Sequence, residues 1–353
     1  MFGRPAVWVG FGVVLGCGPL AVWRGSAYRQ ANALTRERNL SDHGCVDKRE
    51  RWFREGAQNF RTVVRALGLG DRLPPTGDLY PCPCCLVIRD HDDLITKRLT
   101  EEHVPPKRLG GKSLLLTCSD CNNTAGTKLD SHAKTRDEIR NLARGEATSR
   151  PIKVTFFADD IPSHGEVHST GNGLYMQGVP KMNNRVQMQA HNDALQAAWD
   201  RDRSFPSFRF TVTERFVNSH AELSWIRSAY LAAFAALGWR YILRPELQPI
   251  RDQIKNPETK ILPRLSGFNP EAPTDRKGIL LVESPNDLRG VFVTIGRHGV
   301  FLPGPPWAAQ SCSELSQAIT DWSAAESRHQ MMLSGKEVPW PKNPMYLLDP
   351  DSD

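Results

Sequence analysis

Cys82-Pro83-Cys84-Cys85 is followed by Thr100-Glu101-Glu102-His103-Val104-Pro105-Pro106, then by Leu109-Gly110-Gly111. The run closes with Leu114-Leu115-Leu116-Thr117-Cys118-Ser119-Asp120-Cys121-Asn122-Asn123. Two C-x-x-C pairs, Cys82/Cys85 and Cys118/Cys121, can close a four-thiolate tetrahedron around a structural zinc ion. Such a staple would pin a short hairpin, residues 101–104 against 114–117, turned through Gly110-Gly111. The second knuckle then leads into a helix that begins near Asn122. A segment this short buries little core of its own, so bound metal would carry much of its folding energy. The plainer reading is a set of reduced core cysteines. Cys84 is a spare thiol able to exchange roles with Cys85.

This ordered set resembles the HNH endonuclease superfamily, in the branch with Glu-His-x-x-Pro, Leu-Gly-Gly and Cys-x-x-Cys-Asn-Asn. The resemblance covers residues 80–135. It implies a treble-clef-like ββα-metal module that hydrolyses nucleic-acid phosphodiesters with a catalytic divalent ion, magnesium or manganese. By position, His103 corresponds to the general base and Glu102 to the metal-binding acid before it. Asn122 corresponds to a second metal ligand at the helix start. Glu101 is the rival of Glu102, and Asn123 of Asn122. The middle Asn that names the family is Ser113 here, and the final His is Asn122.

These residue types suit the chemistry. A phosphodiester repels hydroxide, so water must lose its proton where the charge is neutralised, and an imidazole accepts protons near neutral pH. A hard cation prefers oxygen ligands, as Glu102 and Asn122 offer, and stabilises the charge that develops at phosphorus. In a regular strand Glu102 and His103 point to opposite faces, so a local distortion or bulge is expected between them. Asp130 and His132 lie on the same helix, roughly 12 to 15 Å beyond Asn122 at the usual rise. That is too far to share one ion with it. Asp130 is expected to make a packing hydrogen bond, and His132 a surface or phosphate contact. Lys107, Arg108, Lys112 and Lys128, with Lys134 and Arg136, could neutralise phosphates without reading sequence.

The chain has 353 residues, 24% charged and 40% hydrophobic, a globular balance with room for two domains. Its net charge of +6 suits a polyanionic partner without arguing for one. Apolar residues at helical spacing, Trp52, Phe53, Phe60, Val63, Val64 and Leu67, predict a helix over 46–67 with a basic outer face. Strands are expected at 152–157, 208–212, 279–282 and 291–295, and helices at 186–201, 221–237 and 313–333. Gly238 is expected as the C-cap of the second of these helices.

The expected class is α+β, the zinc-stapled module preceding a larger α/β domain of unassigned fold. The expected divisions are an extension at 1–45, the basic helix and linker at 46–75, and the nuclease module at 76–145. The α/β domain follows at 150–335, with a loose tail at 336–353. Residues 5–23 carry no charge, with Trp8 and Trp23 near the ends. Gly10, Gly12, Gly16, Gly18, Pro5 and Pro19 weaken them as a spanning helix. The expectation is therefore a cytoplasmic metal-dependent endonuclease acting on nucleic acid, DNA before RNA. Membrane attachment or export could arise only through residues 5–23. The rival function is a catalytically silent zinc module that binds nucleic acid or protein.

Overall fold

The computed structural model describes residues 47–74, 77–202, 209–304, 310–324 and 332–344. The expectations for residues 1–45 lie outside this range. Among the described residues no helix is long and apolar enough to cross a membrane.

Helix α1 (Lys48–Ala66) starts where the Asp47 carboxylate accepts from the Arg49 amide. Its expected stripe is buried from Trp52 to Val64, whereas Leu67 is exposed just past its end. The basic face is only partly solvated. Arg49 donates to the Leu94 and Leu99 carbonyls at 2.8 and 2.9 Å, and Arg61 to Pro74 and Gly77. These arginines satisfy carbonyls at the end of α2, at the start of β3 and in the loop after α1.

The first knuckle joins β1 (Tyr80–Pro81) to β2 (Ile88–Arg89). Leu86 takes a left-handed conformation there (φ 59°), and its amide closes the turn on the Cys82 carbonyl at 2.8 Å. Helix α2 (His91–Ile95) is set by a capping box between Asp90 and Asp93. The hairpin follows as β3 (Leu99–Val104) antiparallel to β4 (Lys112–Cys118), longer than expected at both ends. Gly110 adopts φ 81° in its connection. A side chain at Gly111 would collide with the Pro105 carbonyl oxygen, so both glycines are needed by the turn. Helix α3 (Ser119–Ala125) is capped by Cys118 and runs through a π-turn (Gly126–Asp130) into α4 (Ser131–Ala143).

The chain then enters a separate unit, Leu142–Thr213. It holds β5 (Ile152–Ala158), β6 (Ile161–Ser169), β7 (Leu174–Gly178), α5 (Arg185–Asp202) and β8 (Arg209–Val212). The sheet is antiparallel in the order β7-β6-β5-β8. Ile152, Val154 and Phe156 alternate inward and are buried with Val167.

The other unit joins Asp47–Asn141 to Glu214–Asp353. It continues through α6 (Asn218–Ile242) and α7 (Gln248–Lys255). Next come β9 (Ser266–Phe268), β10 (Lys277–Ser284), β11 (Gly290–Ile295), β12 (His298–Leu302), α8 (Cys312–Ala324) and β13 (Ser334–Val338). Its sheet is antiparallel, ordered β13-β10-β11-β12-β9.

Several expectations change. The boundary between 145 and 150 does not separate a nuclease module from an α/β domain. A small unit is inserted, and the chain beyond it returns to complete the core of the first part. Mixed helix and sheet is observed, but among the described residues every paired strand is antiparallel. Helix α8 is described over Cys312–Ala324 and does not include Leu333, and part of the expected tail forms β13. Helix α6 is buried almost all round instead of along one stripe. It packs against β3 and the π-turn on one side and against β11 and β12 on another. Gly238 does end a helical run, at φ 69°, but helix resumes after it. That kink sends Trp239 between Phe60, Tyr80 and Phe234, with its indole N–H on the Gly56 carbonyl at 2.9 Å.

Candidate metal centre and adjoining cleft

The sulfurs of Cys82, Cys85, Cys118 and Cys121 all lie within 4.8 Å of one another, so the two knuckles can hold a metal ion. Their spacing suits a small tetrahedral ion, because zinc–sulfur bonds of ~2.3 Å put sulfurs about 3.8 Å apart. Cys85 and Cys118 stand at 3.8 Å. Backbone amides support the sulfurs: Cys118 N–H points to Cys82 Sγ at 3.3 Å and Cys121 N–H to Cys118 Sγ at 3.5 Å. Hydrogen bonding from Cys121 pulls the Cys118 thiol down in pKa, and Cys121 is pushed up in return. Cys84 is also buried but stands outside the four-sulfur set. Hydrogen bonds from Cys121 and Cys82 hold its pKa low, with nearby Arg227 adding to the effect. The Tyr230 hydroxyl donates to the Pro83 carbonyl at 2.7 Å, tying α6 to this knuckle.

Beside the knuckles lies a cleft of about 430 Å³. Glu102, His103, Asn122 and Asp130 line it, with Lys107 and Arg108 at its rim. The expected irregularity between Glu102 and His103 is present. Glu102 faces Leu115 while His103 faces Ser113, so Leu114 is the extra residue of a bulge on β4. Glu102 and His103, neighbours on β3 beside this bulge, both border the cleft. His103 is half-buried. Ser113, opposite it, gives its hydroxyl to Glu101 and accepts from Lys48 at 3.2 Å. Glu101 also pairs with Lys48 at 2.8 Å, which with Ser113 outweighs burial and holds its carboxyl below the usual range. Glu101 is thus part of an α1–hairpin tie. The Asn122 amide nitrogen donates to Thr100 Oγ1 and to the Glu101 carbonyl, both at 3.2 Å, and ties the helix start to the hairpin.

Glu102 is almost wholly buried and meets Arg227, which sequence reasoning missed. The guanidinium of Arg227 grips both carboxylate oxygens, and the Thr117 hydroxyl adds a third donor at 3.1 Å. An ionised carboxylate has about four lone-pair sites, so at most one is left for a cation. Burial alone would lower the Arg227 pKa, yet Glu102, Cys84 and Asp130 keep it above its ordinary value. Removing one partner of such a buried pair typically costs about 3–5 kcal/mol. Arg227 was legible in one respect: it is the single charged residue between Leu223 and Trp239. A lone charge inside an apolar helix must find a buried partner.

Asp130 makes the expected packing bond, with Ser224 at 2.7 Å, and it also lines the cleft. Eight α-helical steps would leave it roughly 80° off the Asn122 face. The wider π-turn removes about that much rotation. Burial, opposed by Arg227 and Ser224, pushes the Asp130 carboxyl up to about 6. A folded pKa above the unfolded value favours the protonated fold, so stability from this group falls as pH rises through about 6. Asp130→Asn should therefore stabilise the protein by ~1–3 kcal/mol at pH 8 and by little near pH 4. Urea unfolding at both pH values checks this; equal effects would contradict it.

The remaining basic residues divide. Lys107 and Arg108 border the cleft, whereas Lys112 and Lys128 do not. Lys128 lies 4.0 Å from Glu258, Lys134 pairs with Glu138 at 2.5 Å, and Arg136 is buried. His132 is half-buried: its Nδ1 accepts from the Val217 amide at 3.1 Å, and its ring meets His220.

Comparison with protein-family models, curated proteins and solved structures found no match to this chain.

Proposed function

We propose that residues 80–135 are an HNH-type ββα-metal module and that the protein is a metal-dependent endonuclease. The observation that carries this reading is the convergence of His103, Asn122 and the carboxylates of Glu102 and Asp130 on one cleft with a cationic rim. Zinc at the four cysteines is the structural ion. In the cleft, a hard cation would find oxygen donors in Asn122 and in the remaining lone pair of Glu102. When bound, magnesium or manganese would offset the charge on the phosphate and the leaving oxygen. His103 accepts the proton of the attacking water. Arg227 and Thr117 fix the Glu102 carboxylate, and Asn122 locks the helix start to the strand that carries the base. Lys107 and Arg108 draw in the phosphate backbone.

The test is cleavage of plasmid DNA and of RNA by the purified protein with magnesium, manganese or chelator. Metal-dependent nicking is expected, on DNA before RNA. The engagement of Glu102 by Arg227 and Thr117 favours the rival, a silent zinc module. That rival wins if no nucleic acid is cut with either metal.

A further inference from the structure

A second cavity of about 320 Å³ adjoins the cleft and shares Arg108 with it. One wall is α4 and the hairpin connection; the other is the five-stranded sheet with its turns, through Phe268, Thr274, Arg297 and His298. Four cations, Arg108, Lys134, Arg140 and Arg297, face two acids, Asp137 and Glu138. Both acids are already engaged. Glu138 holds Lys134 at 2.5 Å, and Asp137 accepts from His298 at 3.2 Å with Arg140 at 3.7 Å. Arg140 lies over the Phe268 ring at 4.2 Å, and its Nη1 faces Asp137 Oδ1 at 3.7 Å, too long for a hydrogen bond. Arg297 is presented by the two-residue turn Gly296-Arg297 between β11 and β12. Gly296 holds φ 58° there, and a side chain on it would meet the Thr274 carbonyl oxygen at 2.8 Å. The turn is thus built for this position.

We infer that this cavity extends the cleft into a phosphate-binding groove for a nucleic-acid strand, and that the C-terminal sheet forms its far wall. The inference rests on the nuclease reading of the His103 cleft. Both cavities follow one nearly continuous helix, from Asn122 to Asn141. At the usual rise that is roughly 28 Å, the axial length of about eight base pairs of duplex. A polymer with repeating charge fits such a track, and a mononucleotide does not. Backbone charge alone is read there, so affinity should be independent of sequence.

The experiment measures binding of short labelled DNA duplexes of two unrelated sequences by fluorescence anisotropy. It uses the full-length His103→Ala protein over a series of salt concentrations. Arg140→Gln and Arg297→Gln should each weaken binding about 3- to 10-fold for both sequences and lower the salt slope by about 1. Thr274→Glu keeps every native hydrogen bond of the wall and should weaken binding, while Thr274→Lys should tighten it. Zinc content and thermal unfolding identify any variant that fails to fold, and the Thr274 pair then decides. Unchanged affinity and slope in folded variants of a protein that cuts would overturn the groove and leave the nuclease reading standing. Binding through these residues without any cutting by wild type would keep the groove and overturn the nuclease. Neither binding nor cutting would sink both.

Discussion

Cys118→Ser is expected to strip the structural metal and destabilise the protein by more than about 4 kcal/mol, in the upper tail of single substitutions. Cys118 ends β4, caps α3 and stands in the four-sulfur set. Serine is itself a good N-cap, so this substitution spares the cap and isolates the loss of a metal ligand. The loss should be large because β1, β2 and the hairpin are short and are joined at the knuckles. Metal bound only by the folded state contributes its binding energy to folding. It should stay below the full worth of a zinc site in an isolated peptide. Trp52, Tyr80, Leu115 and Trp239 share one hydrophobic core whose burial does not depend on the ion's ligands alone. Metal analysis with thermal unfolding checks this. Folded wild-type protein without zinc, or a variant with unchanged melting temperature, would contradict it.

His103→Ala is expected to slow cleavage by roughly two to four powers of ten, the usual worth of a positioned base. Fold and zinc content should be unchanged, because the side chain is half-buried and outside the sulfur cluster. Asn122→Ala should behave differently. It removes donors to Thr100 and Glu101 and so costs ~1 kcal/mol of stability as well. It should also raise the metal concentration needed, so that excess magnesium recovers part of the rate. Single-turnover cleavage at several magnesium concentrations separates the two. Wild-type rate in His103→Ala protein would remove this cleft from the chemistry and favour the silent zinc module.

The legibility of this protein follows the range of its interactions. The sulfur cluster could be read from the sequence because each knuckle is local and its spacing matches a tetrahedral ion. The hairpin and its bulge were legible because strand alternation forces a distortion wherever Glu102 and His103 must border one site. Helix α1 and strands β5, β8, β10 and β11 followed from periodicity, since an apolar stripe has to be covered. Tertiary structure alone decided what α6 does. Periodicity cannot reveal that a helix is enclosed on every side, nor which acid neutralises Arg227. That acid is Glu102, far off in sequence, and the pair exists because neither charge could be buried alone. The insertion of residues 142–213 was equally hidden, because the segments that share a core are separated by one that does not. Asp130 reached the cleft through a single π-turn, whose rotation leaves no mark on an α-helical reading of the sequence.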